Sequence, residues 1–320
     1  MSDGVTLLLS GGVGGAKLAL GMARTMQSEK LVILANTGDD FDHLGLRICP
    51  DIDTLTYTLS GLSDPVRGWG REGETWNFMR ALGALGGEDW FNLGDADLAL
   101  HVLRTHLMRQ GASLSDVTRE VCERLGILAR VLPMSDDPIA TCVETEQGRM
   151  DFQTYFVREQ CAPKVTGFVF EGQARARLNP AVQDLFTQGE VNAVVVAPSN
   201  PYVSIDPILG VPGFREILRG FEGPVIAVSP IVGGQAIKGP TAKMMAELGV
   251  PCDVTSIAER YRDFLDGILI DQLDADLLPR VGEMGLACRA TQTVMTSVED
   301  KEAVARVCQD FMQDLSGTPS

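Results

Sequence analysis

Two turn-prone stretches bring together aspartates that could bind a divalent cation. Five of them lie between residues 39 and 53: Asp39, Asp40, Asp42, Asp51 and Asp53. Carboxylates this near to one another repel unless a cation or hydrogen bonds offset their charge. Mg²⁺ is typically bound by one or two protein carboxylates together with the phosphates of a substrate. The pattern therefore predicts a Mg²⁺ site beside a phosphate. The alternative is a pair of solvated turns in which Asp53 caps a helix.

A glycine-rich turn near the start of the chain could hold that phosphate. It reads SGGVGGAK over residues 10–17, between a short apolar run and an apolar helical pattern that starts at Leu18. Backbone N–H groups at a helix N-terminus form a natural phosphate site. The spacing fits neither a Walker loop nor a dinucleotide fingerprint, whose third glycine would fall on Lys17. The turn predicts a phosphorylated ligand without identifying ATP or NAD, or else a tight connection without a ligand.

The elements that position these stretches predict a parallel α/β sheet. The apolar runs at 5–9 and 31–35 flank a helical pattern, so they form a βαβ unit that should be parallel and right-handed. The runs at 191–197 and 225–228 show no alternation, which indicates strands buried on both faces. Ligands bind at the carboxyl ends of such strands. Four polar residues that follow these strands should therefore share the site: Ser199, Asn200, Ser229 and Lys238.

The order of the elements predicts a core with an insertion. Residues 1–52 and 127–320 alternate between strand and helix patterns, whereas residues 53–126 are mainly helical. The predicted fold is an α/β, Rossmann-like, mostly parallel sheet with a helical insertion or lid. His43 lies in the acidic stretch and is a better functional candidate than His101. Lys17 and Lys238 are candidates to neutralise phosphate charge, although either could be a solvated helix residue.

Composition narrows the class of protein. The 320 residues carry a formal net charge of −16, which argues against nucleic acid and anionic membranes as partners. No apolar stretch approaches the ~18 residues of a membrane helix, and no signal sequence is apparent, so we expect a cytoplasmic protein. The seven cysteines form no Cys-x-x-Cys pair, which predicts neither a zinc site nor a disulfide framework.

Eight short motifs follow one another in a specific order. They are SGGVGGAK (10–17), NTGDD (36–40), CPDIDT (49–54), GWG (68–70), LGD (93–95), PMSD (133–136), PSNP (198–201) and SPIVGG (229–234). In this order the sequence resembles the 2-phospho-L-lactate transferase (CofD) family of coenzyme F420 biosynthesis, from Leu9 to about Gly249. Each motif is short, and their shared order makes the resemblance specific.

The resemblance implies both a reaction and a set of catalytic residues. The family joins a phospho-organic acid to the ribityl hydroxyl of the deazaflavin FO. The donor is the acid linked through diphosphate to guanosine, and GMP leaves. A Mg²⁺-dependent homodimer with a Rossmann-like core is implied. Asp39, Asp40, Asp51 and Asp53 would bind Mg²⁺. Asp39, Asp51 and Asp53 would also be catalytic, with one aspartate acting as general base.

The resemblance further implies a set of ligand contacts. Gly11, Gly12, Gly14 and Gly15 would hold the diphosphate. Asn200 and the Ser229-Pro230 turn would line the guanosine side. The other implied contacts are Lys17, Asn36, Thr37, Asp95, Ser199 and Gly233. A helical region with Tyr57, Trp69 and Trp76 would cover the flat deazaflavin.

Two departures and two alternatives remain open at this point. Ala96 stands where many relatives carry a basic residue, and Asp206 stands where relatives often have glycine, so both bear on the donor pocket. The donor acid is not decided among lactyl, enolpyruvyl and glyceryl. A non-catalytic nucleotide-sugar-binding regulator of a related cell-wall-growth family is one alternative. An NAD-type oxidoreductase is the other, and the failed fingerprint disfavours it.

Overall fold

The central feature of the molecule is one parallel sheet flanked by helices. The computed structural model describes residues 4–65, 67–237 and 239–317. In chain order its strands are β1 (Val5–Ser10), β2 (Leu31–Ala35), β3 (Phe41–His43), β4 (Leu46–Ile48), β5 (Arg130–Pro133), β6 (Ala140–Thr145), β7 (Gly148–Asp151), β8 (Val165–Glu171), β9 (Val191–Val196), β10 (Val225–Val228), β11 (Ile231–Val232), β12 (Gln235–Ala236), β13 (Gly267–Asp271) and β14 (Ala287–Thr291).

Seven of these strands form the central sheet, in the order β14-β13-β10-β9-β1-β2-β5. Every neighbouring pair in this sheet is parallel. The prediction of a mostly parallel α/β sheet is therefore confirmed. Because the strands all run one way, their carboxyl ends meet at a single edge of the sheet.

Helices cover both faces of the sheet. They are α1 (Gly12–Thr25), α2 (Pro50–Leu59), α3 (Asn77–Ala84), α4 (Asp95–Arg109), α5 (Leu114–Arg124), α6 (Pro180–Thr187), α7 (Asp206–Leu209), α8 (Phe214–Arg219), α9 (Thr241–Glu247), α10 (Val254–Tyr261), α11 (Leu278–Glu283) and α12 (Val298–Leu315). Successive side chains of a strand point to opposite faces. Leu7 and Leu9 accordingly enter one buried cluster, and Leu8 enters the other, with α1 and α12.

Three small antiparallel sheets lie outside the central one. They pair β6 with β7 and β8, β3 with β4, and β11 with β12. The hairpin predicted around residues 147–148 is the β6–β7 pair and is confirmed. No helix in the described part of the chain is long and apolar enough to cross a bilayer.

The helical stretch between β4 and β5 is tied to the sheet layer. The predicted boundary at residues 52 and 53 falls inside α2, whose Ile52 and Leu55 are buried against α1 and β2. Farther along, Tyr57 of α2 packs with Leu100 and Val121 in a separate small cluster. Since these helices share their core with the sheet, the division into a core and an insertion stays a prediction.

Two helix N-termini in this stretch cap each other. Asp95, at the start of α4, accepts hydrogen bonds from the backbone N–H groups of Asn77 and Phe78 at the start of α3. Glu74, just before α3, accepts from the backbone N–H groups of Ala96 and Asp97. Each carboxylate thus satisfies N–H groups that a helix end leaves without partners.

Candidate active site

The predicted site residues gather where β1, β2 and β9 end. Ser10 closes β1, Asn36 follows β2, and Ser199 lies shortly after β9. The N-terminus of α1 and the first turn of α2 reach the same edge. The sheet topology therefore brings together chain segments far apart in sequence, as expected for parallel strands.

Asn36 lies at the centre of this edge and joins two of the predicted carboxylates. Its side-chain N–H₂ donates to Asp39 Oδ1 at 3.2 Å and to Asp51 Oδ2 at 2.9 Å. It also lies 3.2 Å from the Val203 carbonyl, and its own oxygen accepts the Gly38 N–H. The Asn36 side chain is fully buried. One amide thus holds two acidic side chains side by side.

Asp51 receives a second hydrogen bond from the start of α1. Its Oδ1 accepts the backbone N–H of Gly12 at 2.6 Å. A Cβ on Gly11 would lie 2.6 Å from Asp51 Oδ2, so only glycine allows α1 this close. Burial raises the pKa of Asp51 to about 6, although the hydrogen bonds from Asn36 and Gly12 lower it. The positive end of α1 therefore faces a carboxylate that is expensive to ionise without further positive charge.

The Asp39 carboxylate is likewise costly to ionise without nearby positive charge. Burial, with the charges of Asp51 and Asp40, raises the pKa of Asp39 well above its usual range. Among the described residues, Asp39 and Asp51 have no ion-pair partner. Two adjacent carboxylates without a counterion fit Mg²⁺, which prefers hard oxygen ligands and uses few protein carboxylates.

Asp40 and Asp53 are instead opposed by arginines. Arg104 of α4 binds both oxygens of Asp53, with one N···O distance of 3.2 Å. Arg47 of β4 lies 3.6 Å from Asp40. Burial nevertheless raises the pKa of Asp40 to about 7, with Arg47 the main opposing influence. We call the four aspartates Asp39, Asp40, Asp51 and Asp53 the acidic cluster. Two of them, Asp40 and Asp53, pair with arginines, and the other two do not.

A polar network continues from Asp53 along α4. His101 Nδ1 lies 3.6 Å from Asp53, and His101 Nε2 lies 3.2 Å from Asp97. Asp97 in turn accepts the Tyr57 hydroxyl hydrogen at 2.5 Å. The sequence favoured packing or a polar contact over a ligand role for His101, and it assigned no role to Arg104. The available signal was spacing, because Asp97, His101 and Arg104 stand at i, i+4 and i+7 on one helix face.

The glycine-rich stretch differs from its prediction. The predicted helix start at Leu18 was wrong, because α1 begins at Gly12 and the glycines form its first turn. A Cβ on Gly14 would lie 2.4 Å from the Pro198 carbonyl, and one on Gly15 would lie 2.3 Å from Ser10 Oγ. These glycines let the helix end pack against the ends of β1 and β9. Their predicted contact with a diphosphate stays a prediction.

The polar residues after β9 and β10 use their side chains to build the loops of the site. Ser199 Oγ donates to the Gly11 carbonyl at 2.6 Å. Asn200 Oδ1 accepts the backbone N–H of Tyr202 at 2.9 Å. Ser229 Oγ accepts the N–H of Ile231 across Pro230. The N–H of Gly233 donates to Asp274. These residues lie at the carboxyl edge, and their contacts with a nucleotide stay predictions.

Three other predicted contacts have different surroundings. The Lys17 ammonium donates to the Met295 carbonyl at 2.6 Å. Asp95 is engaged by the start of α3, as described above. The Thr37 hydroxyl is buried, and no hydrogen-bond partner for it is found among the described residues. Thr37 lines a cavity of about 410 Å³ with Arg47 and Ser135, large enough for a small organic ligand. Lys238 lies outside the described residues.

The aromatic residues expected over the deazaflavin are not equally open. The Tyr57 side chain is buried and bonded to Asp97. Trp69 is 48% exposed. The Arg67 guanidinium lies 5.2 Å from the ring centres of both Trp69 and Trp76, within the range of a cation–π contact. Of the three, Trp69 therefore presents the most accessible ring.

Asp206, one of the two departures, is part of a packing contact. Arg260 binds both of its carboxylate oxygens and lies 4.2 Å from the ring centre of Tyr202. The backbone N–H of Ala96, the other departure, is bonded to Glu74. At both positions the observed contacts are with neighbouring parts of the fold: Asp206 pairs with Arg260, and the Ala96 N–H donates to Glu74.

We expect Asp206→Asn to destabilise the protein without changing its substrate preference. The variant leaves the half-buried Arg260 without its counterion, which should cost about 1–3 kcal/mol of unfolding free energy. Thermal or urea unfolding measures that loss, and donor KM values should stay within about twofold of wild type. Asp184→Asn, at an exposed carboxylate of α6, is the matched control. A large change in donor KM for Asp206→Asn would place this side chain in the donor pocket instead.

Fold and site together define a parallel α/β protein with a buried acidic centre at the strand ends. The chain belongs to the CofD family: the family model described as 2-phospho-L-lactate transferase CofD matches residues 6–308. A phosphoenolpyruvate transferase of Streptomyces coelicolor is 38% identical over 315 residues, covering 97% of this chain and 98% of that protein. A 2-phospho-L-lactate transferase of Methanosarcina mazei is 37% identical over 306 residues, covering 94% of this chain and 98% of its own length.

These comparisons confirm the family expected from the motifs and, with it, a transferase of phospho-organic groups in coenzyme F420 biosynthesis. A crystal structure of a Bacillus halodurans protein matches with a TM-score of 0.65 and 14% identity, covering 96% of this chain and 100% of that one. A second, described as a member of the UPF0052 family from the same organism, matches with a TM-score of 0.61. At this identity, the likeness shows the fold alone.

Proposed function

We propose that this protein transfers a phospho-organic acid from a guanosine-diphosphate-linked donor to the ribityl hydroxyl of the deazaflavin FO, with Mg²⁺ as cofactor and GMP as the second product. Family membership supports the transferase class. The relatives include both phosphoenolpyruvate and 2-phospho-L-lactate transferases. The choice among lactyl, enolpyruvyl and glyceryl donors is therefore left to experiment.

The single observation that carries the proposal is the Asp39–Asp51 pair at the N-terminus of α1. The two carboxylates share the Asn36 amide, and Asp51 also accepts the Gly12 N–H. We assign the cation to this pair, with Asp40 and Asp53 as surrounding charges. A helix N-terminus beside a divalent site favours the diphosphate of a nucleotide donor.

The chemistry is a displacement at phosphorus. The FO hydroxyl oxygen forms a bond to the phosphorus that bears the acid. The bond from that phosphorus to the bridging oxygen breaks, GMP leaves with the electron pair, and the hydroxyl proton is released. When bound, Mg²⁺ neutralises charge on the phosphates. Positioning of the reactants and electrostatic stabilisation of the phosphates are the main contributions that the protein can make to such a transfer.

The residues of this chain then have distinct tasks. Asn36 keeps Asp39 and Asp51 in register, and the N-terminus of α1 adds partial positive charge on the phosphate side. The ends of β9 and β10, with Asn200 and Ser229, would border the guanosine. The half-exposed Trp69, steadied by Arg67, is available to stack on the flat ring system of the acceptor.

A direct assay tests the function. Purified protein is incubated with FO, Mg²⁺ and each of the three guanosine-diphospho-acids in turn, and GMP and the phosphodiester product are measured by chromatography and mass spectrometry. We expect turnover with at least one donor, and none after chelation of divalent metal. The donor with the highest kcat/KM identifies the acid.

The contrary result is equally clear. If no donor yields GMP while the folded protein binds a nucleotide sugar, the regulator of nucleotide-sugar type replaces the enzyme. Oligomeric state and location are further parts of the proposal, and the resemblance to the family supports a cytoplasmic homodimer. Light scattering on the purified chain measures the first, and fractionation of the source cells measures the second.

A further inference from the structure

Arg104 occupies a position that a second metal ion would otherwise suit. Asp53, Asp97 and His101 offer ligand atoms that all lie within 4.8 Å of one another. Arg104 Nη1 lies 3.2 Å from Asp53 Oδ2 and 3.4 Å from His101 Nδ1, and Nη2 also donates to Asp53. A guanidinium group therefore contacts two of the three members of a constellation of metal-ligand type.

The burial of Arg104 makes its charge a fixed part of the site. The residue is 2% exposed, and Nη1 also donates to the Arg47 carbonyl at 3.2 Å. Guanidinium stays protonated in proteins, and burying it is costly unless it is paired. Unlike a bound ion, this charge cannot exchange with solvent, and α4 holds it in place.

The summed side-chain charge around the acidic cluster favours one bound divalent cation over two. The four carboxylates of the cluster and Asp97, which borders the second position, carry −5 when ionised, and Arg47 and Arg104 carry +2, which leaves −3. One divalent cation at Asp39 and Asp51 reduces this charge to −1. A second divalent ion would leave the buried cluster with an excess of positive charge, which is unfavourable at low dielectric.

We propose that Arg104 is a positioning residue that supplies the second positive charge of the site, so that the protein binds one divalent cation there and not two. The inference rests on the proposed function only for the cation at Asp39 and Asp51. It assigns a task to a helix, α4, that reaches the site from outside the central sheet. It also distinguishes this site from two-metal phosphoryl-transfer centres.

Mn²⁺ binding measured by electron paramagnetic resonance, without substrates, tests the stoichiometry. We expect one tightly bound ion per chain in the wild type and two in Arg104→Met, which opens the Asp53–Asp97–His101 position. Arg104→Lys keeps the charge and should bind one. Arg109→Met, at an exposed arginine of the same helix, is the matched control and should also bind one.

A paired substitution keeps the test decisive if Arg104→Met folds poorly. Asp53→Asn leaves Arg104 unopposed and should weaken Mn²⁺ binding about tenfold. Asp53→Asn with Arg104→Met removes both charges and should restore wild-type affinity. If affinity is not restored, Asp53 is itself a ligand and the inference is overturned.

The two levels of the proposal fail in different ways. One bound ion in both wild type and a folded Arg104→Met would overturn the role of Arg104 alone. No bound Mn²⁺ in any of these proteins would overturn the proposed cation as well.

Discussion

Asp51→Asn should lower kcat by about a thousandfold, because it removes one of the two charges that hold the cation and several kcal/mol of transition-state stabilisation with it. Asparagine has nearly the same shape as aspartate, and its oxygen can still accept the Gly12 N–H, although its amide N–H₂ cannot accept the hydrogen bond from Asn36. Steady-state assays of GMP release at saturating Mg²⁺ measure the loss.

The free energy of unfolding of Asp51→Asn provides a second readout. Burial raises the pKa of Asp51, so the ionised side chain opposes folding at neutral pH in the absence of a counterion. In the absence of divalent metal, the variant should therefore lose less stability than the broken Asn36 hydrogen bond alone would cost, about 1–3 kcal/mol. Asp42→Asn is the control, because the Asp42 side chain is 73% exposed and its carboxylate lies 3.5 Å from the Arg47 guanidinium. Retention of more than about a tenth of wild-type kcat in Asp51→Asn would contradict the metal assignment.

Asn36→Leu should produce the next largest loss, about a hundredfold in kcat, together with a weaker apparent affinity for Mg²⁺. Leucine has a similar volume but donates no hydrogen bond, so Asp39 and Asp51 lose the group that holds them together. Removing hydrogen bonds to buried charged groups should also cost about 2–3 kcal/mol of unfolding free energy. Activity as a function of Mg²⁺ concentration, with urea unfolding, measures both effects.

The control for Asn36 is another buried asparagine. Asn179 donates to the Pro133 carbonyl and to Ser115. Asn179→Leu should cost comparable stability and leave the Mg²⁺ dependence unchanged. If Asn36→Leu shows only the stability loss, the amide serves the fold and not the arrangement of the two carboxylates.

Much of the fold was predictable because its strands are short, continuous apolar runs. The run at 191–197 shows no alternation of apolar and polar residues, as expected for a strand that is buried on both faces. It forms β9, at the centre of the sheet. Asp39 could be placed at the sheet edge because it follows β2, and Asp51 could be placed near it because a second acidic turn comes ten residues later in the chain. The start of α1 was missed because glycine has low helix propensity, and close packing against Pro198 and Ser10 overrides that preference here.

The sequence does not predict which carboxylates of the acidic cluster pair with Arg47 and Arg104. Arg104 is 51 residues from Asp53 in sequence, and helical spacing alone says which face it lies on but not which element that face meets. The same limit applies to Asp95, whose partners lie at the start of another helix. Such pairings depend on how helices cross, and a single sequence carries little information about crossing geometry.

The contacts that build the site also bear on when it can form during folding. Ser199 holds Gly11 across 188 residues of chain, and Lys17 reaches Met295 across 278. Loops of such length close slowly, and contacts of high sequence separation slow folding. During synthesis the first βα unit leaves the ribosome well before β9 and the segment after β14 exist. The acidic cluster therefore stays exposed to solvent during synthesis, and the site is completed only when nearly the whole chain is present.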